Sequence, residues 1–174
     1  MTYTSSRNEV MSLESEATAD EAERVRGEVQ AFIQGNLGKT IITLITLRKD
    51  GRPHARPVYA FVEGWTVGTM SQGEHLKNQH IRNNPEVGYL WTELHPAEGA
   101  RPKMVWLQGN CEIVSDSDEI DAFFARRKAA TGMGDNHPND DWERLLLRTT
   151  PSIVRAEGFL GQLKPALYRE FGEA

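Results

Sequence analysis

Residues 64–91 read GWTVGTMSQGEHLKNQHIRNNPEVGYLW, and the rest of the chain is organised around them. A short strand leads from Trp65 into Gly68-Thr69-Met70-Ser71, where small and hydroxylated residues replace apolar alternation. A polar turn follows, then a helix of a little over two turns that opens near His75-Leu76-Lys77. The tight turn at Asn84-Pro85 ends it and starts a second strand that reaches Trp91. Hydroxyls, free N–H groups at a helix start and a lysine one turn in are what a bound phosphate needs, so this is read as the anion-binding end of a cofactor site. The plainer account is a polar surface connection between two strands, because loops are hydrophilic in any case.

Working outward, residues 1–19 are polar and rich in Ser, Thr and Glu, and are expected to form a flexible N-terminal segment before a single domain at 20–174. Asp20 is placed to cap a helix whose apolar face is Val25, Val29, Phe32 and Ile33, ended by Gly35 and Gly38. Residues 39–47, KTIITLITL, are β-branched and almost continuously apolar, as in a buried strand. Lys49-Asp50-Gly51-Arg52 signals a hairpin to residues 54–61, HARPVYAF. Pro57 inside that strand lacks a ladder donor, which makes the strand an edge or a bulge there.

Beyond the organising stretch, residues 103–114 form a longer strand with a bulge or close backbone approach at Gly109-Asn110. Asp116 and Glu119 resemble a helix-capping pair before the apolar face of Ile120, Phe123 and Phe124. Residues 131–141 are a loop, residues 142–149 lead on, and 152–157 read as the last strand. From Gly158 onward a loop with a short final helix is expected. Strands joined mostly by hairpins, with few helices, point to an antiparallel sheet closed on itself: a mainly β fold, a small barrel with two or three peripheral helices.

The 174 residues make one domain with room for a core, and 39% hydrophobic with 26% charged residues is ordinary globular composition. A net charge of −5 argues against nucleic-acid binding, which needs a basic face. No apolar run reaches spanning length and no secretory leader is visible, so a cytoplasmic protein with no membrane role is expected. The lone Cys111 excludes an internal disulfide and a cysteine-based zinc cluster.

Arg56 and Lys77 converge on one phosphate if their strands pair; otherwise each is a solvated surface charge. The five histidines have no metal spacing, and His75 and His80 would point about 140° apart on a helix. The oxygen-rich 135–141 lacks calcium-loop spacing. Neither a Ser/His/Asp arrangement nor a phosphate-binding glycine motif is present. Cys111 reads as a core thiol, and Trp65, Trp91 and Trp106 as core packing unless one at a rim leans on a flat ring.

Residues 45–58 (ITLRKDGRPHARPV), 68–91 and 105–116 (VWLQGNCEIVSD), in this order, resemble the pyridoxamine 5′-phosphate oxidase-like superfamily of FMN-binding split β-barrels. The likeness is strongest to its general-stress-protein-like branch and runs from residue 37 to 154, with residues 145–157 similar to that branch's final strand. It implies a homodimer with two flavin sites at the subunit interface. By resemblance, Arg56, Thr69, Ser71 and Lys77 hold the FMN phosphate, Pro57 and Val58 line the ring, and Trp106 and Gln108 lie on the strand that a second subunit brings towards it. Leu76 stands where the family often has a basic or hydroxyl residue, and residues 158–174 lack the substrate-binding Arg and His of true pyridoxamine phosphate oxidases. Vitamin B6 oxidation is therefore not assigned.

The expectation is an FMN-dependent oxidoreductase passing hydride to or from a small organic substrate, with no catalytic residue named and no metal. Its rivals are a reductase using the deazaflavin coenzyme F-420, whose acidic tail would call on Arg48, Lys49 and Arg52, and a non-enzymatic flavin-binding stress protein. A haem-handling barrel is disfavoured because no axial histidine arrangement stands out.

Overall fold

The strand Arg144–Glu157, fourteen residues long, closes the sheet because it serves different neighbours along its length. In the computed structural model, which describes residues 16–35, 41–132, 143–160 and 164–171, the elements are α1 (Ala19–Gly35), β1 (Ile41–Leu47), β2 (Pro53–Glu63), β3 (Thr66–Gln72), α2 (Leu76–Asn83), β4 (Glu86–Thr92), β5 (Met104–Val114), α3 (Ser117–Thr131), β6 (Arg144–Glu157) and β7 (Ala166–Tyr168). The sheet order is β3-β2-β1-β4-β5-β6-β7, and β3 also pairs with β6. Every pairing is antiparallel, so β1 to β6 form a closed six-stranded barrel with β7 beside β6. The fold is the expected mainly β, antiparallel split barrel.

Alternation sets the two faces. Leu44, Val58, Val67, Tyr89, Leu107, Leu147 and Val154 point inward and are buried, joined by Val29 and Ile33 of α1. A second cluster holds α3 to the sheet through Ile120, Phe123 and Phe124 against Phe61, Val114 and Leu146. Gly68 lies beneath Phe123: a Cβ there would sit 2.2 Å from the ring. Asp116 caps α3 as expected, its carboxylate accepting from the Glu119 N–H at 2.9 Å. Gly132 ends it with φ of 66°, a left-handed position suited to glycine.

Three expectations change in detail. Thr18 rather than Asp20 starts α1: its hydroxyl accepts from the Glu21 N–H at 3.3 Å while Glu21 accepts from the Thr18 N–H at 2.9 Å. The two segments expected at 142–149 and 152–157 are one strand. Pro151 fits within it because the β5 pairing shifts register between Gln108 and Gly109, so the missing donor falls at the irregularity. The short helix expected in the tail is instead β7, paired to β6 through Val154, Arg155 and Ala156. The bulge or close backbone approach expected at Gly109-Asn110 is present: the register shifts between Gln108 and Gly109, and a Gly109 Cβ would come within 2.2 Å of the Thr150 carbonyl oxygen.

Pro57 behaves as expected of an edge. β2 pairs with β1 along residues 53–59 but meets β3 only from Ala60 to Glu63, so at Pro57 it has a neighbour on one side. The flexible segment proposed for residues 1–19 lies mostly outside the described residues, as does the loop at 133–141. Among the described residues no helix is long and apolar enough to cross a membrane.

Candidate functional site

The turn between β3 and α2 does not point a charged helix face at solvent. α2 packs across β1 and β5, and its buried residues are Lys77, Asn78, His80 and Ile81. Lys77 is only 6% exposed, so its long side chain lies inside the protein. Its Nζ donates to the Met70 carbonyl oxygen at 3.2 Å. Among the described residues it forms no salt bridge. Burial, and then the positive charge of Arg56, push the Lys77 ammonium down to about 8.

Arg56 lies on the inward face of β2, in line with buried Val58 and Ala60, and its Nε is buried without a hydrogen-bond partner. Its charge also bears on two histidines. His75 is held below its usual range by burial, then by Lys77 and Arg56. His80 is lowered by burial first, then by His54, Arg48 and Arg56, with Asp50 opposing. The His80 Nδ1 shares a 2.9 Å hydrogen bond with the Thr46 hydroxyl. Thus two cations meet while the adjacent imidazoles are kept neutral. Thr69, 2% exposed on the inward face of β3, has a buried hydroxyl oxygen that makes no well-formed hydrogen bond but lies near enough to the Tyr89 hydroxyl to oppose the rise of its pKa. Beside it, the Tyr89 hydroxyl meets the Thr149 hydroxyl at 3.3 Å, and burial raises the Tyr89 pKa well above the phenol range.

A buried ammonium beside a half-buried guanidinium, with no carboxylate on either among the described residues, is costly unless something anionic completes them. The start of α2 adds to the same field: His75 is its N-cap residue, extended at φ of −63° and ψ of 133°, with no side-chain hydrogen bond into the first turn. The Asn78 N–H is taken by the His75 carbonyl at 2.9 Å, which leaves the N–H groups before it in the first turn for an outside acceptor.

The turn itself is pinned by Asn78, which is fully buried. Its Nδ2 donates to the carbonyl oxygens of Gln72 and Gly73, the latter at 3.2 Å. Its Oδ1 accepts from the Ser71 hydroxyl at 2.6 Å. The His75 Nδ1 lies 3.5 Å from the same hydroxyl oxygen.

A second region lies on the outside of the barrel. Cross-strand register places Pro57, Thr43, Leu90 and Trp106 in one row over β2, β1, β4 and β5. A neighbouring row runs Ala55, Ile45, Gly88, Gln108 and Ile153. Ile41 and Tyr59 pair at the edge of this face and are 56% and 51% exposed, and Trp106 is 43% exposed.

A model of the pyridoxamine 5′-phosphate oxidase family matches residues 25–156, more than half of the chain. The chain belongs to the pyridoxamine 5′-phosphate oxidase family. Solved structures agree on the fold. General stress protein 26 from Bacillus anthracis superposes with a TM-score of 0.55 at 19% identity, covering 79% of this chain and 95% of that one. A protein described as an F420 reductase gives 0.53 at 20% identity, covering 66% and 87%. A heme binding protein from Mycobacterium smegmatis gives 0.60 at 17% identity, covering 86% of this chain and 57% of that one. Among curated proteins none matches the sequence.

Within this family fold, the eight residues singled out from the sequence divide into two groups. Arg56, Thr69, Ser71 and Lys77 belong to the buried polar region around α2. Pro57, Trp106 and Gln108 belong to the outer face. Val58 points into the core at 7% exposure, so it offers only backbone to anything lying outside. Asn78 was missed. Its signal was present, since asparagine is a poor helix former that prefers to bond nearby backbone, yet it stands in the first turn of a helix.

Proposed function

We propose that the chain is a homodimeric FMN-binding oxidoreductase whose cofactor phosphate is held by Arg56, Lys77, Thr69 and the start of α2. The observation that carries this reading is the meeting of buried Lys77 with Arg56 without a carboxylate partner for either among the described residues. The unpartnered Arg56 Nε fits the same group, since a dianionic phosphate offers several acceptors to donors already desolvated, and the buried Thr69 hydroxyl lies beside it on β3 with only the Tyr89 hydroxyl near it among the described residues. A bound flavin would supply hydride transfer with a small organic substrate, and the protein would supply position and a dry site.

The ring would lie by Pro57 on the outer face, where a second subunit presents Trp106 and Gln108. A free, buried Cys111, its thiol raised to about 11 mainly by burial, suits a structural role in a reduced, cytoplasmic setting. FMN is favoured over coenzyme F-420 because the desolvated cations lie at the phosphate end, whereas two of the three basic residues that an acidic tail would call on are exposed and loosely share one carboxylate. Arg48 and Arg52 share Asp50 at 3.5 and 3.8 Å.

The test is titration of the purified protein with FMN and with riboflavin, followed by the flavin absorption bands. FMN is expected to bind far more tightly than riboflavin. Arg56→Ala combined with Lys77→Ala is expected to abolish retention of FMN; a double variant that still purifies loaded overturns the phosphate assignment.

A further inference from the structure

Asn78 is fully buried and, among the described residues, makes more side-chain hydrogen bonds to the turn than any other. Both carboxamide hydrogens are committed to carbonyl oxygens, those of Gln72 and Gly73. This settles which way the amide faces, since carbonyls accept and only the NH2 end can donate to them. The Oδ1 must then receive its hydrogen from a donor, and the donor is the Ser71 hydroxyl at 2.6 Å. A hydroxyl has one hydrogen. Ser71 has spent its own on Asn78 and keeps only lone pairs, one of them facing His75 Nδ1 at 3.5 Å. It cannot donate to a phosphate without giving up a short, buried hydrogen bond.

Resting on the phosphate-site reading above, we propose that Asn78 is the positioning residue of that site. It holds the Gln72–His75 turn and the start of α2 in the shape that receives the anion, and Ser71 serves Asn78 rather than the ligand. Otherwise the turn is held by three backbone bonds: the Gly73 N–H to the Glu143 carbonyl at 3.1 Å, which ties it to β6, the His75 N–H to the Gln72 carbonyl at 3.1 Å and the Asn78 N–H to the His75 carbonyl at 2.9 Å. With the carboxamide removed, the Gly73 carbonyl and the Ser71 hydroxyl lose the Asn78 bond, the Gln72 carbonyl keeps only the His75 N–H, and the turn rearranges to hydrate them. Lys77, one residue before Asn78, moves with it.

The experiment is a double-mutant cycle on the full chain with two readouts: affinity for FMN against riboflavin, and amide hydrogen exchange across residues 71–78 without ligand. Asn78→Ala is expected to weaken FMN roughly 30-fold while riboflavin changes by less than about threefold, because only the phosphate end is disturbed. Ser71→Ala added to Asn78→Ala should cost nothing further, since Ser71 acts through Asn78. Exchange at 72–77 should quicken in Asn78→Ala with no ligand present. Asn78→Asp, equal in size, is the second variant should alanine fail to fold. It sets carboxylate oxygen against two carbonyls and is expected to show the same selective loss.

Additive losses from Ser71 and Asn78 would overturn the proposal, placing Ser71 on the phosphate directly. Unchanged exchange in both Asn78 variants would overturn it as well. A wild-type protein that binds FMN no better than riboflavin would instead sink the phosphate reading, while the exchange data would still decide whether Asn78 holds the turn.

Discussion

Lys77 is the residue whose ionisation the site depends on. An ammonium that titrates near 8 in the ligand-free fold, against 10.5 when exposed, is charged at neutral pH at a cost set chiefly by burial. The folded state therefore holds its proton less tightly than the unfolded chain, so this residue lowers stability below about pH 8 and the deficit is relieved as pH rises from 8 towards 10.5. At about 1.4 kcal/mol per pH unit, the deficit at neutral pH is on the order of 3 kcal/mol. Lys77→Met, similar in length and uncharged, should make the ligand-free protein more resistant to urea at pH 7, with the advantage shrinking by pH 10. A variant less stable at pH 7 would show that the charge is already compensated. Binding carries the opposite sign. A phosphate dianion favours the ammonium, so FMN affinity should be level up to about pH 8 and then fall towards tenfold per pH unit, while riboflavin affinity stays flat. Titration at pH 7 and 9 separates the two.

The elements were mostly legible because they obey alternation and turn chemistry. The β1–β2 hairpin was announced by Asp50-Gly51, with Gly51 at φ of 79°, and α3 by Asp116 and Glu119. What was not legible depended on partners remote in sequence. Thr150-Pro151 looked like a break, and only the shifted register against Gln108-Gly109 lets one strand run through it. The tail became β7 because Val154–Ala156 offered a free edge, a fact of topology rather than of residues 166–168. In the site, the order strand, polar turn, helix was legible, whereas the burial of Lys77, the direction of Val58 and the committed hydrogen of Ser71 needed a third dimension. Two substitutions test how α3 is held. Asp116→Ala removes the cap and should cost about 1 kcal/mol. Gly68→Ala drives a methyl into Phe123 and should cost about 1–3 kcal/mol as α3 shifts outward, visible as a lower urea midpoint. Losses in the reverse order would mean that the capped end, rather than the Phe123 contact, anchors the helix.

At the scale of the molecule, a barrel usually turns a polar outer face to water, and this one does not over β2, β1, β4 and β5. Among the described residues, three of the five exposed large apolar side chains, Ile41, Tyr59 and Trp106, lie on that face, with Pro57, Ile45 and Leu90 between them. An apolar patch spread over four strands is what a subunit interface requires, and a stable one buries about 1,600 Å² in total. Gly88 matters to its shape. Even a Cβ there would lie 3.1 Å from the Trp106 Nε1, so the indole rests close against the β4 backbone and presents the rest of its surface outward. A homodimer pairing through this face would bring one subunit's Trp106 and Gln108 towards the other's Pro57, so cofactor and assembly would be coupled: each complete site would need both chains. Trp106→Glu should therefore convert a dimer at micromolar concentration into a monomer by sedimentation, while far-ultraviolet circular dichroism stays unchanged because the residue is on the surface. FMN affinity should fall at least about tenfold in the same variant although every phosphate contact is intact. A Trp106→Glu protein that stays dimeric, or a monomer that binds FMN as tightly as the parent, would place the ring within one barrel and detach the site from the interface.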